Sequence, residues 1–377
     1  MLPSQYGPSA HGHSVAGRVV ELDSLRGIAA ATVVIHHLWA ISHFHEAPWY
    51  LTPLTAGHEA VILFFVLSGY VLSLPFWAGK QTKYSIYFVR RVFRIYVPFV
   101  MALILSAIGC SLFYRIHLPL TGFYLKTWQE PVSVTLFLEQ LLMPDDPILN
   151  GAIWTLRYEM ELSLLFPFVC LFLSRRRYLP LFLLIAMRVS QSWLSHTHFF
   201  SASSATVSTL LSFIYYAPFF VVGAILARER EVLLRLVFLL NKYILYALVL
   251  AALLLYYHRP LFHLTTPKSE LLTLLGASML IIFVQDPRAG LGLTNPVCQY
   301  LGRISYSMYL VHYIVLFALF DLAYTHVSLP LLSCLCLAGT VVASHFFCIG
   351  VEEPALRIGK FLSKRLPDTR HQSISIA

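Results

Sequence analysis

The sequence predicts an all-α membrane protein, a polytopic bundle of about ten transmembrane helices with both termini cytoplasmic. Three observations predict it. Of the 377 residues, 58% are hydrophobic and only 12% charged, with a mean hydropathy of +0.71. An ordinary soluble domain is about 25% charged. The apolar residues fall in runs near the ~20 residues that a bilayer-spanning helix needs. The basic residues alternate: 21 of the 27 Lys and Arg lie in segments on the N-terminal side of the membrane and 4 in the intervening ones. Such a bias marks the cytoplasmic face.

In chain order, residues 1–17 are polar, rich in Gly, Ser and His, and lead into no signal-peptide core, so they read as a disordered cytoplasmic tail. Residues 24–43 form the first span. Residues 57–78 return to the cytoplasmic side, where Lys80, Lys83, Arg90, Arg91 and Arg94 gather. Residues 95–114 lead outward. Segment 132–145 is apolar but carries Glu139, which suits an interfacial or re-entrant stretch better than a span. Spans 153–174 and 178–195 flank Arg175, Arg176 and Arg177, and the second is interrupted by Arg188, Gln191 and Ser192. Spans 206–227 and 238–257 straddle Arg228, Arg230 and Arg235. Spans 269–285, 303–324 and 329–350 complete the bundle. The membrane domain thus covers 18–358, and a basic cytoplasmic tail follows over 359–377.

The net charge of +9 does not indicate nucleic acid, because it sits in short clusters between spans. The six cysteines show no metal-type pairing and read as small buried hydrophobes. There is no phosphate-binding glycine loop and no H-E-x-x-H pattern, so no metal is expected.

Ionisable residues inside spans are costly and mark candidate sites. Arg26 and His37 are eleven residues apart, about three helical turns plus roughly 20°, so they share a face with His37 about 16 Å deeper. His36 lies about 80° off that line. An arginine at the cytoplasmic surface can hold the phosphates of an acyl-CoA, and an imidazole deeper in can take a proton from an attacking hydroxyl. Arg90, Arg91 and Arg94 would extend the anion site; plain anchoring of a loop is the blander reading. Glu159, in WTLRYEMELSLLFP, reaches a depth near that of His37 and could orient it, bind a sugar acceptor or pair with Arg157 or Arg188. Glu352 and Glu353 lie level with Arg26, either as salt-bridge partners or with Glu352 as a working carboxylate. Ser68 reads as a bond across helices and Gly69 as a point of close packing.

Taken in order, these segments resemble the acyltransferase-3 family of membrane O-acyltransferases. LDSLRGIAAATVVIHH is similar to its arginine-ten residues-histidine motif, with Arg26 and His37 in the two positions. HEAVILFFVLSGYVLS and YFVRRVFRIYVP resemble its second span and basic loop. WTLRYEMELSLLFP resembles its tryptophan-serine-leucine…glutamate block, with Trp154, Thr155, Leu156 and Glu159 in place. LGRISYSMYLVH, with Ser305, Tyr306 and His312, resembles its ninth-span signature, and VEEP its closing glutamate-x-proline. Thr155 stands where serine is usual, Leu162 and Ser163 replace an aromatic pair, and Ala60 replaces a glycine.

The resemblance implies transfer of an acetyl or similar acyl group from cytoplasmic acetyl-CoA to a hydroxyl of an envelope or exported carbohydrate, at the inner membrane. It places His37, Glu159 and Glu352 in catalysis, Arg26, Arg90, Arg91 and Arg94 on the donor, and Trp154, Thr155 and Arg157 on the acceptor. Expected partners are acyl-CoA, a carbohydrate or glycolipid and the bilayer. The assembly is a homo-oligomer, a chain acting alone, or one that hands its acyl group to a separate periplasmic partner. The rival reading is a multi-span transporter or flippase of a glycolipid, though the half-repeats common in transporters are not found.

Overall fold

The computed structural model describes residues 19–366 apart from residues 43–46, 81, 115–117, 119, 121–123, 177, 196–204 and 263–268. The expected 1–17 tail lies outside the described residues, as does the end of the chain from 367. All regular elements among the described residues are helical: α1 Val20–Ser42, α2 Gly57–Trp77, α3 Tyr84–Arg91, α4 Val97–Phe113, α5 Val134–Leu141, α6 Ile153–Arg175 and α7 Leu179–Ser195. They continue with α8 Ala205–Arg228, α9 Arg230–Leu239, α10 Lys242–Leu261, α11 Glu270–Phe283, α12 Pro296–Ala323, α13 Leu329–Phe347 and α14 Glu353–Arg365.

Among the described residues, seven helical segments are long and apolar enough to cross a membrane: Val20–Ser42, Gly57–Trp77, Tyr84–Phe113, Leu211–Arg228, Lys242–Leu261, Pro296–Ala323 and Leu329–Arg365. The other three expected spans are helices of a weaker kind. α6 carries Arg157, Glu159 and Glu161, α7 has 17 residues and α11 has 14. Leu105, Ile108, Leu112, Phe182, Leu250, Leu254, Leu335 and Val342 are all exposed. So wide an apolar surface belongs against lipid.

Two stretches run longer than their sequence suggests. α3 and α4 join through a π turn, Val92–Tyr96, into one 30-residue rod, so the helix begins at Tyr84 instead of near 95. α13 and α14 join through a second π turn, Cys348–Glu352, into a 37-residue rod ending at Arg365. Pro354 stands directly after the π turn, inside the rod, and does not stop it. The segment around Glu139 is the eight-residue α5, capped by Ser133 Oγ accepting from the Leu136 amide at 3.0 Å.

The bundle is held by close approaches of backbone. α1 packs on α12 and α2 on α8. A Cβ on Gly27 would lie 2.3 Å from the Gly302 nitrogen, and one on Gly302 would lie 2.4 Å from the Asp23 carbonyl oxygen. Gly69 and Gly223 make the same kind of seam between α2 and α8: a Cβ on Gly69 would meet the Phe220 carbonyl oxygen at 2.1 Å. Small residues at helix contacts substitute packing for the hydrophobic drive that lipid removes. At the far end of the bundle, the Trp128 indole donates to the Leu149 carbonyl and to Ser106 Oγ, each at 3.0 Å, and the Tyr124 hydroxyl bonds Asp321.

Candidate active site

The α1–α12 seam sets the site. Gly27 and Gly302 bring the backbones together one residue from Arg26 on α1 and from Arg303 on α12. Beside them opens a cavity of about 1050 Å³. Along α2 it is lined from Val61 to Phe76, fifteen residues or about 22 Å of helix. Its walls there are apolar, with Phe64, Phe65, Val71, Leu72, Pro75 and Phe76, and α6 adds Phe166, Pro167 and Cys170. At the Arg26 end the lining is basic: Arg26, Arg90, Arg91, Arg94 and Arg303, with Lys80 and Lys360. A long, greasy slot with a cationic mouth suits a ligand with a polyanionic head and a slender, weakly polar arm.

The four arginines expected on the donor are therefore gathered in one place, from α1, α3 and the first π turn. Arg26 Nη1 is 3.5 Å from Asp23 Oδ1. Arg90 Nε donates to Ser363 Oγ at 3.0 Å, tying α3 to α14. Arg91 lies over the Tyr87 ring, 5.5 Å from its centroid. Arg94 is on the π turn, whose Ile95 carbonyl accepts from the Tyr306 hydroxyl of α12 at 2.8 Å. That bond satisfies a carbonyl displaced from the regular helical pattern. Glu352 is on the other π turn, buried, and accepts from Ser307 Oγ at 2.6 Å within the field of Arg94 and Arg26. Both π turns thus aim a charged side chain into the same cavity, a common use of this irregularity. Glu353, next in line, is the half-buried salt-bridge partner, 2.6 Å from Arg303 and 3.2 Å from Arg357.

α6 puts only some of its polar residues on the cavity side. Thr155 and Glu159, four apart, line the cavity; Glu159 Oε1 accepts from Ser68 Oγ of α2 at 3.4 Å, and Thr155 bonds the Tyr309 hydroxyl of α12. Arg157 and Glu161, four apart on another face, pair at 3.0 Å, and Arg157 also meets Asp145 at 3.2 Å. Trp154 packs with Tyr216 of α8, ring centroids 5.7 Å apart. Of the three residues expected on the acceptor, only Thr155 lines the cavity; Trp154 and Arg157 stand on other faces of the same helix.

His37 lies beyond the cavity floor. The floor is Thr155 and Tyr309, and the Tyr309 ring is 5.9 Å from the ring of His312. His312 Nε2 in turn stands 3.1 Å from His37 Nδ1. The partner shown for His37 is therefore a second histidine, whereas Glu159 and Glu352 are engaged by Ser68 and Ser307. His36 turns away, its Nδ1 2.7 Å from the Thr55 carbonyl oxygen. Sequence reasoning assigned no role to His312, Tyr309 or Ser305. Their spacing of four and three residues on α12 put them on one face and was the available signal.

The family model described as an acyltransferase domain, of the acyltransferase-3 type, matches residues 19–348. A curated relative, the O-acetyltransferase PaAT-1 of Phomopsis amygdali, is 33% identical over 134 residues, which cover 29% of this chain and 26% of that protein. The chain thus aligns with about a quarter of that relative's length. No solved structure matches it.

Proposed function

The chain belongs to the acyltransferase-3 family, and on that premise we propose that it is a membrane O-acyltransferase that moves an acetyl or similar acyl group from cytoplasmic acyl-CoA to a hydroxyl of an exported or envelope carbohydrate. The observation that carries this reading is the cavity with its basic mouth and apolar walls, running from Arg26 to Tyr309. The likeness to an O-acetyltransferase supports acetyl as cargo and oxygen as the atom acylated. The carbohydrate rests on the family resemblance alone, as does placement in an inner membrane. The ten-span layout with both termini inside is supported by the charge bias and by a helix at each of the ten expected places.

In this reading Arg26, Arg90, Arg91 and Arg94 hold the donor's phosphates through charge-assisted hydrogen bonds. The pantetheine arm lies along α2, and the thioester reaches the floor at Thr155 and Tyr309. His37 removes the acceptor's hydroxyl proton; the oxygen attacks the thioester carbonyl, the C–S bond breaks and CoA leaves as the thiolate, which recovers the proton. Glu159 and Glu352 hold the arginines and serines of the cavity in register. The acceptor enters from the end opposite the arginines, near Arg157 and Trp154.

The test is kinetic. Arg91→Ala and Arg94→Ala should each raise the KM for acetyl-CoA about tenfold or more, the loss of one charged hydrogen bond to phosphate, with kcat much less affected. An unchanged KM in both would sink the donor assignment and favour a transporter that uses the cavity for a different cargo.

A further inference from the structure

Within the reading of the chain as an acyltransferase, we propose that His312 is the positioning residue for His37: it fixes the ring's tautomer, so that the basic atom is His37 Nε2. The observation is the pair itself. His312 is fully buried on α12, and its two ring nitrogens face two different partners. Nδ1 is 3.1 Å from the Met308 carbonyl oxygen and Nε2 is 3.1 Å from His37 Nδ1.

The tautomers follow from donor and acceptor chemistry. A carbonyl oxygen can only accept, so His312 Nδ1 carries the hydrogen. A neutral imidazole has one N–H, so His312 Nε2 carries a lone pair. Facing that lone pair, His37 Nδ1 must donate, and the His37 lone pair is left on Nε2. Tyr313 closes the arrangement: its ring is 4.8 Å from that of His37 and 5.1 Å from that of His312, in edge contact with both. Gly151 leaves room for it, since a Cβ there would lie 2.6 Å from the Tyr313 hydroxyl oxygen.

The proton balance is closed. The acceptor's O–H bond breaks and its proton joins His37 Nε2. The Nδ1–H bond to His312 then lets the second imidazole share the positive charge. When CoA leaves as the thiolate, the proton passes to its sulfur and the pair returns to its starting tautomers. No oxidant, metal or further base enters. The general role that a carboxylate plays behind many catalytic histidines is taken here by a neutral imidazole held by a backbone carbonyl.

Two measurements test the proposal, both on the full-length protein in detergent. The first uses His312→Leu, which removes the acceptor, and His312→Gln, whose side-chain oxygen can restore it near the position of Nε2. The expected result is a kcat about 100-fold lower in the leucine variant, recovered to within about tenfold of wild type in the glutamine variant, with the KM for acetyl-CoA unchanged in both. A leucine variant with wild-type kcat, or two variants equally impaired with raised KM, overturns it. The second needs no variant. Nitrogen-15 NMR of ring-labelled histidine, with His37 assigned by its absence in His37→Ala, should show His37 protonated at Nδ1; protonation at Nε2 overturns the proposal. If wild-type protein transfers no acyl group while the NMR shows the Nδ1–H form, the enzyme reading fails and the tautomer assignment stands.

Discussion

Replacing His37 with alanine should lower turnover by about 10²–10⁴-fold while leaving acetyl-CoA binding within about twofold of wild type. The separation of the two effects is built into the first helix. Arg26 and His37 share a face of α1 but lie about 16 Å apart along it, so the donor's head and the reacting group meet different residues. The basic mouth of the cavity is formed by Arg26, Arg90, Arg91 and Arg94, whereas His37 is not among the lining residues and pairs with His312. Alanine removes the imidazole without disturbing that mouth. CoA release with a coloured thiol reagent gives the turnover, and stabilisation of the purified protein by acetyl-CoA gives the binding. A variant that keeps its turnover would remove His37 from the chemistry; one that loses binding to the same degree would make His37 a structural residue of the cavity.

The second large effect is structural. Gly27→Leu should destabilise the protein by about 3 kcal/mol or more, enough to abolish folded protein on purification in detergent. The cause is backbone against backbone: a Cβ at Gly27 would lie 2.3 Å from the Gly302 nitrogen and 2.5 Å from the Leu301 carbonyl carbon. No rotamer relieves a clash with main chain. α1 and α12 would have to move apart, and both carry the site, with Arg26 and His37 on one and Tyr309 and His312 on the other. Gly79 serves as the control, because its surroundings are open, although its φ of +71° makes any side chain there mildly strained. Fluorescence-detected gel filtration of the two variants, heated in parallel, reads the difference. A Gly27→Leu protein that melts with the wild type would mean the α1–α12 seam is looser than its geometry.

How far the sequence carries this account can be followed residue by residue. Arg26 and His37 were legible because they lie on one helix, where spacing alone fixes relative direction. Arg90, Arg91 and Arg94 were legible as a cluster for the same reason, but the π turn that aims Arg94 was not, since Val92–Tyr96 has no residue that announces it. Glu159 was expected near the depth of His37, to orient it, meet the acceptor or pair with Arg157 or Arg188, and the contact found is with Ser68. Depth is a property of one helix; azimuth relative to α1 and α2 is a property of the bundle, and it brought Ser68 instead. The separation of Thr155 from Trp154 and Arg157 was readable in principle from their spacing, since residues one or two apart on a helix do not face the same way. His312 stood in a quoted motif but pairs with a residue 275 positions away, and such a pairing is written in packing. The start of the third span was misjudged for a related reason: the basic stretch before residue 95 reads as a loop by polarity, yet its residues keep a helical spacing, with Tyr84 and Phe88 outward and Tyr87 and Arg91 toward the cavity.

The three helices that fall short of the other seven do so for different reasons, α7 and α11 in length and α6 in polarity. α6 is polar because it lines the cavity and carries an ion pair, not because it lies outside the bundle. Its buried residues, among them Leu162, Phe166, Cys170 and Leu173, pack into the same core as α2 and α8. α6 thus gives up apolar character to the charged residues it carries.

The measurement that bears most directly on the whole account is transfer of label from acetyl-CoA carrying a radioactive acetyl group to a carbohydrate fraction, by purified protein in detergent or vesicles. The account predicts that free CoA appears in step with label in the carbohydrate, and that His37→Ala abolishes both. Binding of acetyl-CoA without CoA release in the wild type, across acceptor preparations, would contradict it and leave the cavity as the cargo site of a transporter.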